Sequence, residues 1–261
     1  MTKKYYTNNE GVELRDFEIE AEDPRTPREL YRPLRRRLKN VFSWLSTNKM
    51  PETVYVVGAG PNGADFLPLI PGYAYTIACN SLIKFPRAWS WWVCFDHRAP
   101  WHDWFRAPRD PDTKQLFGCR LCNRLHDDKV LDTVRPDYFF DYLPNLVPGN
   151  FFRNEQIEYP NILRGGMTAG GICYQLARWG GAKKIVLVGL DFFGHGHWDG
   201  YENKSPHYAG VWGASKAPNS SWADVLTNYI RFCEKNHGIE TVSLSETVLD
   251  VPVVTLDSLR S

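Results

Sequence analysis

Short apolar runs separated by polar loops dominate the chain after Pro51. Within a run, apolar and polar residues do not alternate strictly, which is typical of strands that are covered on both faces of a sheet. Each run is flanked by glycine, proline and polar residues, as expected at strand ends. The predicted strands are 53–58, 74–80, 90–96, 137–143, 183–192 and 239–245.

Two amphipathic segments lie between these runs. Residues 168–182 carry an apolar stripe at helical spacing, begin at Thr168, a preferred N-cap residue, and end at two glycines. Residues 220–238 carry a second stripe and end at Gly238. Because strands and helices alternate, the sequence predicts one α/β domain over 51–261. We expect it to be Rossmann-like, with a mainly parallel sheet and helices on both faces.

The first 50 residues are polar and rich in charge, and we predict that 1–50 form an N-terminal helical extension. Residues 28–45 are expected to form a basic helix with one apolar face. Such a helix either packs on the sheet or serves as an arm for an acidic partner, such as a nucleic acid or a lipid head group. Residues 97–135 show no clear periodicity and are expected to be rich in loops.

Composition and charge narrow the class of protein. A net charge of +1 on 261 residues gives no global attraction to nucleic acid or to an anionic membrane. The chain starts without the apolar stretch of a secretory signal, and no apolar run approaches the length of about 18 residues that spans a membrane. Cys79, Cys94 and Cys173 lie in apolar runs, where a reduced thiol packs as a small hydrophobe. These features predict a cytoplasmic protein with reduced cysteines.

The first candidate site is the glycine loop after the first strand. Residues 58–63 read Gly-Ala-Gly-Pro-Asn-Gly, the G-x-G-x-x-G pattern of dinucleotide-binding loops. That pattern requires an acidic residue about 20 residues on, at the end of the next strand, to bind the ribose. Here Asn80 stands at that strand end, and Pro61 is unusual inside the pattern. We therefore expect no NAD or FAD. The loop binds a phosphate or a mononucleotide, or it is a tight structural turn.

A second glycine-rich loop lies upstream of the predicted helix at 168–182. It offers backbone N–H groups, and Arg164 before it could offset the charge of a phosphate. The strand at 183–192 then ends in Asp191, where a carboxylate would meet a substrate or a metal. An amide such as Asn80 both donates and accepts hydrogen bonds, and it would face the same crevice unless it only forms a turn.

The histidines supply the candidates for acid–base chemistry and metal binding. His195, His197 and Asp199 follow Asp191 closely, so Asp191, His195 and His197 are a candidate metal site. His207 is a candidate general base, although a loop histidine is often merely solvated. A further pair, Cys119-x-x-Cys122 with His126 nearby, lacks the second pair that a zinc site usually needs.

Four segments in order resemble a known family: "VYVVGAGPNG", "IACN", "TAGGICYQLARWGGAKKIVLVGLDFFG" and "PHYAG". They are similar to the bacterial lipooligosaccharide sialyltransferases and to the wider sialyltransferase-like superfamily. That superfamily includes archaeal 6-hydroxymethylpterin diphosphokinases, motility accessory proteins that modify flagellin, and many phage proteins. The resemblance covers roughly residues 52–250 and would place this chain in a bacterium or a phage.

The resemblance implies roles for individual residues. The loop at 58–63 and Asn80 would bind a cytidine nucleotide, the loop at 166–170 would contact it, and Tyr208 would help the phosphate to leave. The family's catalytic histidine has no match, because Val211 stands at its position; His207, one residue before Tyr208, is the nearest substitute. The candidate catalytic residues are Asp191, His195, His207 and Tyr208. The candidate nucleotide-binding residues are Gly58, Gly60, Pro61, Asn62, Gly63, Asn80, Gly166, Thr168, Ala169 and Gly170, with Asp96 beside them in the crevice.

Three functions follow from this interpretation. The first is a glycosyltransferase that takes a CMP-, UDP- or GDP-linked sugar and transfers it to a hydroxyl of a glycan, a lipid, a protein or a modified DNA base. The second is diphosphate transfer from ATP to a pterin-like alcohol, which would add Mg²⁺. The third is a nucleotide-binding protein without catalysis. The absence of the family's catalytic histidine, at whose position Val211 stands, favours this function. A homo-oligomer is compatible with all three.

Overall fold

A computed structural model describes residues 6–7, 13–14, 37–95, 99–131, 133–140, 142–143, 163–164, 168–192 and 220–259. The helices are α1 Val41–Leu45, α2 Cys119–Asp127, α3 Ala169–Trp179 and α4 Ser220–His237. Short 3₁₀ segments are Pro61–Leu69, Asn80–Lys84, Ala99–Trp101, Asp103–Arg106 and Asp257–Leu259. The strands are β1 Tyr6–Thr7, β2 Glu13–Leu14, β3 Lys39–Asn40, β4 Thr53–Val57, β5 Thr76–Cys79, β6 Trp91–Cys94, β7 Lys114–Gly118, β8 Tyr138–Phe140, β9 Tyr142–Leu143, β10 Leu163–Arg164, β11 Lys184–Val188 and β12 Glu240–Ser243.

Eight strands form one sheet in the order β12-β11-β4-β5-β6-β7-β8-β3, and every pair is parallel. The strands from β4 to β8 follow one another in space as they do in sequence, whereas β11 and β12 lie on the other side of β4. The direction of strand succession therefore changes between β4 and β11. In open parallel sheets, ligands bind at such a switch point, beyond the carboxyl ends of the strands.

Both faces of the sheet are covered, which explains why its strands are apolar without alternation. One face packs against α1, α3 and α4, and the other against α2 and the 3₁₀ segments. Neighbouring residues of one strand serve opposite cores: Trp91 belongs to the first and Trp92 to the second, and both are fully buried. The predicted α/β fold with a parallel sheet and helices on both faces is confirmed.

Local signals located most of these elements correctly. Each of the six predicted apolar runs contains a strand, and both predicted helices are present. Thr168 caps α3, since its hydroxyl accepts a hydrogen bond from the Gly171 N–H at 3.3 Å. Gly180 is the C-cap of α3, and Gly238 follows α4 at φ +63°, a conformation that favours glycine.

One prediction for the N-terminal half is wrong. The helix expected over 28–45 is interrupted, because Lys39–Asn40 pair with β8 and extend the main sheet. Asn40 is extended, at φ −71° and ψ 140°, and its side chain caps α1 by accepting the Phe42 N–H at 3.0 Å. Residues 39–40 therefore add a strand to the main sheet, and the division of the chain at residue 50 stays a prediction. The region 97–135, expected to be loop-rich, contains β7 and α2.

All six cysteines are free, buried thiols. Cys119 and Cys122 lie one turn apart on α2 and pack into the apolar core of the second face, so the structure assigns the pair to packing. Burial raises the pKa of the Cys173 thiol well above its usual value, which keeps that thiol unreactive. None of the described helices has the length and apolar character needed to cross a membrane.

Candidate functional site

Three neighbouring strands carry the predicted site residues at their carboxyl ends. The glycine loop 58–63 follows β4, Asn80 follows β5, and Asp191 lies three residues beyond β11. Because β11, β4 and β5 are adjacent and parallel, their carboxyl ends meet at one edge of the sheet. This edge contains the switch point, so the fold itself brings these distant segments together.

The backbone of the glycine loop is bonded to the segment after β11. The Gly58 N–H donates to the Val188 carbonyl at 2.8 Å, and the Gly60 N–H donates to the Gly189 carbonyl at 2.8 Å. The Gly63 N–H completes the turn by donating to the Gly60 carbonyl at 3.2 Å. Of the two interpretations of this loop, these bonds favour the tight structural turn, because the chain itself uses the three N–H groups.

The glycines are required by the close approach of these two loops. A Cβ added at Gly58 would lie 2.5 Å from the Gly189 carbonyl oxygen, and one at Gly63 would lie 2.6 Å from the Gly189 nitrogen. At Gly60, a Cβ would meet the Asp191 carboxylate and would lie 2.6 Å from the Gly189 oxygen. Gly189 itself has φ +63°. The G-x-G-x-x-G spacing thus has a structural cause within the chain.

Asp191 connects the two loops through its side chain. Its carboxylate is 3% exposed, and the oxygen Oδ2 accepts the Asn62 N–H at 2.7 Å. The other oxygen, Oδ1, is buried and has no hydrogen-bond partner among the described residues. Burial raises the pKa of Asp191 to about 6, and the hydrogen bond from the Asn62 N–H opposes that rise. A buried acceptor without a donor is costly, so this oxygen is a candidate point of ligand contact.

Asn80 presents a second buried acceptor without a partner. Its backbone lies in the left-handed region at φ +53°, which asparagine tolerates better than most residues. Its carbonyl oxygen accepts the Trp92 Nε1–H at 2.9 Å, which fixes the turn. The side-chain Oδ1 is buried and has no hydrogen-bond partner among the described residues. The backbone alone would therefore explain a turn at Asn80, but it leaves the side-chain oxygen unexplained.

The N-terminus of α3 reaches the same edge of the sheet. A Cβ at Gly170 would lie 2.8 Å from the Leu190 Cδ2, and one at Gly58 would lie 2.9 Å from the Leu190 Cδ1. Leu190 therefore contacts the first turn of α3 and the glycine loop together. Since a helix N-terminus carries partial positive charge, this end of α3 is a candidate position for an anion at the same edge of the sheet.

The segment after β12 was missed by sequence reasoning. The Ser245 hydroxyl accepts the Gly189 N–H at 2.9 Å, and the Thr247 hydroxyl donates to the Leu190 carbonyl at 2.7 Å. The Asn62 side chain donates to the Glu246 carbonyl at 3.3 Å. These contacts brace the loops that carry Asp191 and Asn62. The signal that could have found them is a run of polar residues directly after the last strand of a parallel sheet.

Several predicted residues lie outside the described part of the chain. For Arg164, only the backbone position in β10 is described. The metal and general-base hypotheses therefore stay predictions. Among the described residues, no three side chains of the metal-binding types come together. The residues outside the described ranges are Asp96, Gly166, His195, His197, Asp199, His207, Tyr208 and Val211.

Comparison with known proteins gives matches only among solved structures; no family model and no curated protein matches the chain. CstII from Campylobacter jejuni in complex with cytidine-5′-monophosphate is 14% identical, with 79% of this chain and 86% of that chain covered, at a TM-score of 0.45. An α-2,3-sialyltransferase from the same organism in apo form is 12% identical, with coverage of 83% and 84% and a TM-score of 0.40. The monofunctional α-2,3-sialyltransferase Cst-I is 11% identical, with coverage of 77% and 80% and a TM-score of 0.40.

These matched proteins are sialyltransferases, the family whose motifs the sequence resembles. The likeness is distant, because the three TM-scores lie below 0.5. The fold of this chain is therefore defined by its own strand order. What the site can do is argued from its own atoms, which include two buried side-chain oxygens without a donor among the residues described.

Proposed function

We propose that this chain is a glycosyltransferase that uses a nucleotide-activated sugar and transfers the sugar to an acceptor hydroxyl. One observation carries the proposal: the buried Oδ1 atoms of Asn80 and Asp191 lack donors within the described part of the chain, and both residues follow strands at the switch point. A nucleoside offers donors of the matching kind, namely ribose hydroxyls and the amino group of a base. Satisfying a buried acceptor recovers about 1–3 kcal/mol, which gives the ligand affinity and a fixed orientation.

The two ends of a nucleotide sugar have different requirements. The nucleoside would face Asn80 and Asp191, because a carboxylate repels a phosphate and attracts hydroxyls. The phosphate would lie toward the N-terminus of α3, where Thr168 begins the helix and backbone N–H groups carry partial positive charge. Arg164 and Tyr208 are proposed to stabilise the leaving phosphate, on the evidence of the sequence motifs alone. Donors of this kind are typically worth about 3 kcal/mol each in the transition state.

The acceptor hydroxyl needs a base. His207 and His195 are the proposed candidates, since a neutral imidazole accepts a proton near pH 7. The acceptor's chemical class stays open among the four hydroxyl-bearing classes given above. A homo-oligomer and a cytoplasmic location also remain proposals.

A second candidate function rests on the same carboxylate. A free carboxylate oxygen at Asp191 is a ligand that Mg²⁺ accepts, and Mg²⁺ usually accompanies the phosphates of ATP. This favours diphosphate transfer from ATP as the alternative. It predicts AMP as a product and strict dependence on Mg²⁺, whereas the glycosyltransferase predicts release of the nucleotide from its sugar.

The proposal is tested by ligand binding and by turnover. The wild-type protein is screened by thermal shift with CMP, UDP, GDP and ATP, each with and without Mg²⁺, and then incubated with CMP-, UDP- and GDP-sugars while nucleotide release is measured. We expect one nucleotide to raise the melting temperature and its sugar conjugate to be hydrolysed or transferred. The Asn80→Gly variant should lose about tenfold in affinity, since one hydrogen bond is removed.

Asn80→Gly has a matched control. Lys129 is also a non-glycine residue in the left-handed region, at φ 61°, and it follows α2 near the amino ends of the strands. Lys129→Gly makes the same change of backbone type far from the site and should leave affinity unchanged. AMP release from ATP that requires Mg²⁺ would favour the second candidate. No nucleotide shift and no turnover with any donor would contradict both.

A further inference from the structure

A hollow of about 280 Å³ opens at the edge of the sheet opposite the candidate site. Lys39 and Tyr138 are the first residues of β3 and β8 and are register partners, so the hollow lies at the amino ends of these strands. The proposed nucleotide site lies at the carboxyl ends. Any ligand here would thus occupy a separate surface. The lining consists of Leu38, Lys39, Arg135, Pro136, Asp137 and Tyr138.

The exposed side chains around this hollow are mostly cationic. Lys39 and Arg135 are exposed and form no ion pair with the described residues. Arg37 is exposed as well, and its carbonyl accepts a hydrogen bond from Arg135 Nη2 at 2.6 Å, which holds the two arginines together. Asp137 is the acid in the lining, and its Oδ2 is engaged by the Gln115 N–H at 2.7 Å. The lining therefore carries two cations and one carboxylate that is already bonded, and Arg37, whose Nη1 also lies 3.0 Å from the His126 Nδ1, adds a third cation next to it in the chain.

The sequence leading into the hollow continues this charge. Six of the twelve residues from 28 to 39 are Lys or Arg, and one is acidic. The net charge of the whole chain is only +1, so the basic character is local. Several cations close together in the sequence suit a polyanion, whose phosphates repeat along its chain, better than they suit a single small anion.

The apolar and aromatic residues of the lining indicate whether the surface suits an anionic lipid surface or a nucleic acid. Leu38 and Pro136 are buried, so neither is exposed for insertion into a bilayer, which stable binding of a protein to a lipid surface usually needs. Tyr138 is half-buried, and its ring packs at 5.6 Å on Trp91, which holds it rigidly. An aromatic ring beside cations is the combination that binds unpaired bases together with their phosphates.

We propose that this surface binds single-stranded nucleic acid. Arg37, Lys39 and Arg135 contact the phosphates, and one unpaired base enters the hollow and stacks on Tyr138. The inference goes beyond the proposed glycosyl transfer and does not depend on it. It also explains the basic segment before β3, which the proposed nucleotide site does not use.

The test measures binding of a labelled 12-nucleotide oligothymidylate by fluorescence anisotropy over a series of salt concentrations. Wild-type protein should bind it, and affinity should fall steeply with salt. The Lys39→Ala/Arg135→Ala variant should lose about tenfold in affinity at low salt, and the slope of log affinity against log salt should fall by about 1.4, two contacts at 0.7 each. Tyr138→Leu should weaken binding with an unchanged slope, since it removes stacking and no charge.

A second double variant controls for net charge. Lys183 lies directly before β11 and Lys235 lies on α4, and both side chains are exposed. The Lys183→Ala/Lys235→Ala variant therefore also removes two positive charges, but away from the hollow. Its affinity should stay close to that of the wild type, and both double variants should keep the wild-type melting temperature. Equal losses in both double variants would overturn the proposal. So would absent binding to the oligonucleotide, equal affinity for a duplex of the same length, or tighter binding to phosphatidylserine vesicles that Lys39→Ala/Arg135→Ala abolishes.

Discussion

Gly60→Ala is expected to lower the free energy of unfolding by about 3 kcal/mol, the size typical of steric overpacking at a buried site. The backbone at Gly60 is extended, at φ −68° and ψ 145°, so alanine is conformationally allowed there. The cost arises only from the new methyl group. It would meet the Asp191 carboxylate and would lie 2.6 Å from the Gly189 carbonyl oxygen. Neither neighbour can easily move, since one is buried and hydrogen-bonded and the other is backbone.

Gly72→Ala provides the matched control. A Cβ at Gly72 has no atom within 4 Å, so the same substitution should change stability by no more than about 0.5 kcal/mol. Urea unfolding of both variants at pH 7, followed by circular dichroism, measures the difference. Equal midpoints for the two variants would show that the loops after β4 and β11 are not in close contact. The expected result would establish that the glycine pattern serves loop packing.

The sequence was sufficient to predict the strands of the central sheet that are covered on both faces. In β11, the four residues after Lys184 are all apolar and buried, and such runs are recognisable without knowledge of their partners. β3 could not be predicted in this way, because two residues carry no periodicity and their strand conformation comes from pairing with β8. α2 has an apolar stripe that includes Cys119 and Cys122, but the same two cysteines also fit a metal-binding spacing, which obscured the helix.

The candidate site likewise has a part that the sequence could predict and a part that it could not. Position at a strand end is a local property, so Asn80 and Asp191 could be selected from the sequence as residues of the crevice. The segment that the glycine loop contacts could not be predicted locally, because Asn62 and Asp191 are 129 residues apart in the chain. The pattern of letters therefore suggested a phosphate as the partner of the loop, whereas the partner of its N–H groups is the segment after β11. The support from Ser245 and Thr247 is equally non-local.

Asp191→Asn is expected to change how stability depends on pH. Burial raises the pKa of Asp191 from 3.8 to about 6 in the folded protein, so folding disfavours the ionised form. The stability that the protonated carboxyl contributes is complete below about pH 4 and is lost as the pH rises through 6. About two pH units separate the folded and unfolded values, which corresponds to about 3 kcal/mol. Asparagine does not titrate, so the variant avoids this loss.

The measurement is the free energy of unfolding of both proteins between pH 4 and 7.5. At each pH, the free energy of unfolding of the wild type is subtracted from that of the variant. This difference should rise by about 3 kcal/mol from pH 4 to pH 7.5, whatever the difference is at pH 4. Asp137→Asn is the control, because it also removes one carboxylate that accepts a backbone N–H. Asp137 accepts the Gln115 N–H at 2.7 Å and lies at an exposed position. The rise is therefore read as the excess over that control. A difference that stays flat with pH would contradict the assignment of a desolvated carboxylate at Asp191.

The same titration bears on the proposed ligand. A hydroxyl that donates to Oδ1 of Asp191 stabilises the ionised carboxylate and lowers its pKa in the complex. By linkage, the wild-type protein should then bind its nucleotide sugar more tightly as the pH rises through about 6, and the Asp191→Asn variant should not show this gain. A nucleotide sugar whose affinity follows the same pH dependence in both proteins would place the ligand's hydroxyls away from Asp191, leaving Asn80 as the remaining buried acceptor for the nucleoside.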